Sequence, residues 1–147
     1  MKVYLGADHR GFNMKEAIKK WLAEQHIETH DEGALTYDQQ DDYTDTTKSV
    51  AEKVKEDKTA RGIVFCGSGV GVDITANKVK GIRCGFAHTP KQIESARSHD
   101  DINILAVPAD YMDEETIKET VKTFLNTEYI PEERHQRRID KIHKLES

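Results

Sequence analysis

A chain of 147 residues with 33% charged and 36% apolar side chains can bury a real core as one domain, and no apolar run in it approaches membrane-spanning length. The net charge of −5 argues against a general nucleic-acid surface, and two cysteines make no disulfide framework in a chain this large. The expected setting is the cytoplasm, with both thiols free.

In chain order, Val3–Leu5 reads as a short strand running into Gly6-Ala7-Asp8-His9. Lys15–Gln25 carries Ala17, Ile18, Trp21 and Leu22 at helical spacing. Ile27–Asp31 reads as a second strand and Glu32–Asp42 as a polar loop. Thr46–Lys58 is a predicted helix with Val50, Ala51 and Val54 inward, followed by a third strand, Ile63–Cys66. Three alternate glycines, Gly67, Gly69 and Gly71, lead into a short helix over Asp73–Lys80. Ile82–Phe86 is the fourth strand, Pro90 opens a helix through Ser98, and Ile102–Val107 is the fifth strand. Glu114–Leu125 is amphipathic. After Pro131 a charged helix, about 132–145, carries Ile139, Ile142 and Leu145 as its apolar stripe. The alternation predicts one α/β domain: a three-layer αβα sandwich around a five-stranded, mostly parallel, Rossmann-like doubly wound sheet. Ligands of such sheets sit beyond the carboxyl ends of the strands.

The segment Gly62–Asn77, GIVFCGSGVGVDITAN, carries the strongest chemical signal. It sets Cys66 at a strand end, beside the amides of a helix N-terminus, a place that favours negative charge on a bound anion and on sulfur. A strand cysteine is more often a small buried hydrophobe, the reading kept for Cys84. The glycine loop lets a ligand approach Cys66 closely, and a thiolate there can take a proton or attack a carbonyl. The loop lacks the Gly-Lys-Ser/Thr of a P-loop and the G-x-G-x-x-G spacing of a dinucleotide site. Its amides suit a phosphate or an oxyanion formed in reaction, against the plainer reading of a tight turn. Asn77 reads as a capping or packing residue. Asp8 and His9 stand where they can bind a hydroxyl, hold phosphate or move a proton, or merely form a solvated turn. His99, next to Asp100 and Asp101, can serve a site on its own molecule or on a neighbour. Arg134 and Arg138 are four apart and share one helix face, enough to clamp a phosphate or to solvate an amphipathic helix. Cysteine and histidine spacings match no metal site, so no metal is expected.

Together these fragments resemble ribose-5-phosphate isomerase B and its relatives, the galactose-6-phosphate isomerase subunits. The resemblance runs through Gly6–Phe12 (GADHRGF), Asp42-Tyr43, Cys66–Gly71 (CGSGVG), the TANK stretch from Thr75, Gly81–Arg83, His99–Asn103 and Arg134–Arg138 (RHQRR). It implies a cofactor-free aldose–ketose isomerase of sugar phosphates, working as a homodimer or dimer of dimers with sites shared across the interface. Cys66 would then move a proton between C1 and C2. Gly67, Ser68, Gly69 and Gly71 would hold the enediolate oxygen, and His99, aided by Asp8, would open the ring. Tyr43 and Asp100 would line the sugar pocket, and His9, Arg134 and Arg138 would bind phosphate. The C-terminal helix would pack on the partner subunit. Family members lacking the cysteine carry a glutamate just past the third loop glycine; Val72 stands there.

Three positions depart from the family pattern: Asp100 stands for asparagine, Asp110 for a phosphate-assisting arginine, and Thr44 for proline. Two of these add negative charge, so a hexose 6-phosphate is the alternative substrate to ribose 5-phosphate. A non-catalytic sugar-phosphate binder is the alternative of another class, and a nucleotide or flavin domain a weaker one.

Overall fold

Val3–Leu5 and Ile63–Phe65 show no polar alternation because both faces of these strands are covered, the condition of a parallel sheet. The computed structural model describes residues 1–146. In chain order the elements are β1 (Val3–Ala7), α1 (Phe12–Glu24), β2 (Thr29–Asp31), α2 (Tyr43–Glu56), β3 (Arg61–Cys66), α3 (Val70–Asn77), β4 (Cys84–Phe86), α4 (Pro90–Asp100), β5 (Ile104–Pro108), α5 (Glu114–Asn126) and α6 (Glu133–Lys144). The sheet order is β2-β1-β3-β5-β4, and every pairing is parallel. The sandwich expected from the sequence is thus present, with a wholly rather than mostly parallel sheet.

Successive strand residues point to opposite faces, which divides the core in two. Leu5, Ile63, Phe65, Leu105 and Val107 pack with Ile18 and Leu22 of α1, Ile93 of α4 and Phe124 of α5. Tyr4, Val64, Cys66 and Ala106 pack with Val50 and Val54 of α2 and Val72 and Ala76 of α3. The helices after β1 and β3 therefore leave on opposite faces. Between those two central strands the sheet opens a crevice at its carboxyl edge, where ligands of such folds bind.

Helices α1, α2 and α3 each begin three residues before the position predicted from periodicity, at Phe12, Tyr43 and Val70. Periodicity needs several core-facing residues to register, and the first three residues of these helices supply at most one each, Met14 in α1 and Val72 in α3. Strands β4 and β5 start later than predicted, at Cys84 and Ile104. There the side chain of Asn103 replaces a ladder, accepting from the Arg83 amide at 2.8 Å and donating to the Gly81 carbonyl at 3.0 Å. Asn77 acts as the packing residue expected: its amide group donates to the Cys84 carbonyl at 3.1 Å and accepts from the Cys84 amide at 2.9 Å.

A buried ion pair ties α1 to β2. Lys15 is fully buried, and its ammonium donates to both oxygens of Asp31 at 2.7 and 2.8 Å; Lys19 adds a third bond at 2.8 Å. Burial alone would raise the Asp31 carboxyl, but these bonds and the Gly33 amide pull it below its ordinary value. No helix of the described residues is long and apolar enough to cross a membrane.

Candidate active site

Strand β3 ends on Cys66, and the chain turns at once into α3. The Cys66 residue is 4% exposed, and its sulfur accepts the Gly69 N–H at 3.2 Å. Gly69 is the N-cap of α3 and lies in the left-handed region (φ 74°), hard against Pro108, where a side chain has no room. This backbone aims the N-cap amide of α3 at the thiol. Ser68 is exposed beside it, and its hydroxyl accepts from the Val70 amide at 3.2 Å. A Cβ on Gly71 would lie 2.5 Å from the Tyr43 ring, so the glycine is what lets Tyr43 cover the first turn of α3. The free thiols are Cys66 and Cys84. The Cys84 thiol is pushed well up by burial and then by Asp73, which keeps it protonated and leaves it as the packing group expected.

The chain after β1 lies alongside, because Ala7 pairs with Phe65. Asp8 is 5% exposed, and its Oδ1 accepts from the amides of Arg10 and Gly11, both at 3.0 Å. His9 turns to Asp41, whose Oδ1 meets the His9 amide at 2.9 Å and Nδ1 at 2.8 Å. Tyr37 stands edge-on to the same ring at 6.3 Å. Asp41 Oδ2 is buried without a hydrogen-bond partner. Asp8, His9 and Asp41 each bring one ligand-type atom within 4.8 Å of the others, a donor set that could hold a cation but whose imidazole Nδ1 is engaged by Asp41. Asp41, Tyr37 and Arg10 escaped the sequence reading. The first two lie in a polar loop without periodicity, and only their proximity to His9 marks them.

The remaining predicted residues gather elsewhere. His99 is exposed at the end of α4 and stacks on His135 of α6, ring centroids 4.6 Å apart. Arg134 and Arg138 are exposed on the same helix, and Arg134 pairs with Glu132 at 2.9 Å. Asp100 is exposed and gives only its carbonyl, to Arg83 at 3.0 Å. The Asp101 carboxylate, expected beside His99, instead binds Arg97 at 2.7 Å and Arg83 at 3.2 Å. Helix α4 runs back to the amino end of β5, whereas Cys66 pairs with Pro108 at its carboxyl end. At about 3.3 Å per residue the length of β5 separates the end of α4, with His99, from Cys66 by roughly 13 Å. The candidate residues of one chain thus fall into two groups: Asp8, His9, Tyr43, Cys66, Gly67, Ser68, Gly69 and Gly71 at one edge of the sheet, and His99, Asp100, Arg134 and Arg138 toward the other.

A Rossmann-like sheet with a thiol in an amide-lined loop at its switch point defines an α/β enzyme site suited to moving a proton beside an oxyanion. The chain belongs to the family described as Ribose/Galactose Isomerase, whose profile matches residues 3–142, and it is accordingly an isomerase of the aldose–ketose type. It is 37% identical over 146 residues to ribose-5-phosphate isomerase B of Mycobacterium tuberculosis, covering 99% of this chain and 90% of the relative. Ribose-5-phosphate isomerase B of Mycoplasma genitalium, solved with bound ribulose-5-phosphate, superposes with a TM-score of 0.94 at 36% identity, covering 99% of this chain and 95% of the other. A ribose 5-phosphate isomerase of Thermotoga maritima gives 0.93 at 36% identity, covering 97% of each chain.

Proposed function

We propose that this chain interconverts ribose 5-phosphate and ribulose 5-phosphate in the cytoplasm without a cofactor or metal, with Cys66 as the base. The observation that carries this reading is the Cys66 sulfur facing the Gly69 amide at the head of α3. In the open-chain aldose the thiolate takes the C2 proton. The C–H electron pair becomes the C1–C2 double bond, and the carbonyl pair moves onto O1. The loop amides and Ser68 stabilise that oxyanion without having to reorganise. A proton then passes from O2 to O1, the thiol returns its proton to C1, and the ketose is complete. The alternative of a hexose 6-phosphate loses support because the Asp110 carboxylate is paired with Arg10 and so does not confront the substrate as a lone negative charge.

Ring opening falls to His99 and part of the phosphate grip to Arg134 and Arg138, all from a second copy of the chain. The separation of the two groups of candidate residues supports that assembly, a homodimer or a dimer of dimers. So does a groove of about 650 Å³ between β4 and α6, walled by Ile82, Ile102, Ile142 and Leu145, with Leu145 85% exposed. Helix α6 would then pack on its own α4 and on the partner. The test is turnover of a pentose- and hexose-phosphate panel in deuterated water. Deuterium entering at C1 or C2 of the pentose phosphates is the expected result, and silence across the panel overturns the reading.

A further inference from the structure

The loop that follows β1 brings a guanidinium to the carboxyl edge of the sheet, beside the loop after β3. Among the first three residues after each of the five strands, Arg10 is the one permanent cation; Asp8, Glu32 and Asp110 are acids. Its guanidinium stands over the Cys66 loop: a Cβ on Gly67 would lie 2.5 Å from both Cζ and Nε of Arg10. The Asp110 carboxylate accepts from Nη2 and is its one side-chain hydrogen-bond partner among the described residues. Asp110 is itself fixed to that loop, since its amide donates to the Gly67 carbonyl at 3.0 Å and the Ala109 amide to the Cys66 carbonyl at 2.9 Å. The side chains of Arg10 and Asp110 are 58% and 39% exposed, so the pair is accessible from the crevice mouth and weakly held. Donors on Nε and Nη1 are left for another acceptor, and a phosphate matches a guanidinium fork better than any neutral group does.

We propose that Arg10 is a phosphate-binding residue of this enzyme, its guanidinium oriented over the Cys66 loop by Asp110. The proposal rests on the isomerase reading for its substrate but is tested apart from it. Inorganic phosphate is titrated calorimetrically into the wild-type protein and into Arg10→Ala, Arg10→Lys and Arg10→Ala/Asp110→Ala, and the same proteins are assayed on ribose 5-phosphate. Arg10→Ala should weaken phosphate binding and raise KM by about tenfold or more while kcat stays within about threefold, with Arg10→Lys between. Deleting Asp110 as well removes the unpaired carboxylate and should recover part of that loss, leaving binding about fivefold weaker. Full recovery in the double variant would mean that Arg10 only neutralises Asp110, and the proposal falls. It falls equally if Arg10→Ala binds phosphate normally or loses kcat alone. If the wild type turns over no sugar phosphate yet Arg10→Ala binds phosphate more weakly, the isomerase reading fails and Arg10 keeps its role.

Discussion

One hydrogen bond from a helix N-terminus distinguishes the Cys66 sulfur from that of Cys84. Both cysteines are interior in character, but only Cys66 faces a helix N-terminal amide, whereas Cys84 faces the Asp73 carboxylate. Replacing Cys66 with alanine should lower kcat by about 10²–10⁴-fold with little change in KM, measured on ribose 5-phosphate. Cys84→Ala should stay within about twofold of wild type, because its thiol takes no part in the proton transfer. Gly71→Ala would drive a methyl into the Tyr43 ring. It should cost about 1–3 kcal/mol of stability by urea unfolding and raise KM as Tyr43 is displaced.

Among the elements, the joint between α1 and β2 has the highest stakes. Asp31→Asn takes the nearest carboxylate from the fully buried Lys15 ammonium, leaving it Glu16 at 3.3 Å, and should cost up to about 3–5 kcal/mol, read from urea unfolding; Lys15→Met, which removes the charge instead, should cost less. The sign with pH follows from the lowered Asp31 carboxyl. The contribution is present above its unfolded value, near ~3.9, and is lost as pH falls through the lower folded value. Unfolding measured down the acid limb should therefore be steeper for the wild type than for Asp31→Asn. The same scale explains which boundaries were legible. Core-facing runs such as Ile63–Val64–Phe65 and the Ile18–Leu22 stripe were plain, while the first turns of α1, α2 and α3 were not, because each turns at most one side chain, Met14 or Val72, to the core and so shows no periodicity.

For the molecule as a whole, the decisive prediction concerns sharing. Cys66→Ala and His99→Asn proteins, each inactive alone, should recover about a quarter of wild-type activity when unfolded and refolded together in equal amounts. Half of random dimers are then hybrids, and each hybrid has one intact site of two. No recovery, with each variant shown to refold, would place the whole reaction inside one chain. The sequence by itself determined the α/β sandwich and singled out Cys66, its glycine loop, Asp8 and His9, because strand alternation, a thiol at a strand end and close-approach glycines are local patterns written in consecutive residues, whereas Tyr43 was marked only by the family resemblance. Only the tertiary structure decided that His99 lies about a strand's length from Cys66 and stacks on the helix of Arg134 and Arg138, and that Arg10 meets Asp110 and His9 meets Asp41. Those pairings join residues brought together by crossover connections, and the distance between two loops depends on strand order, which no local pattern encodes.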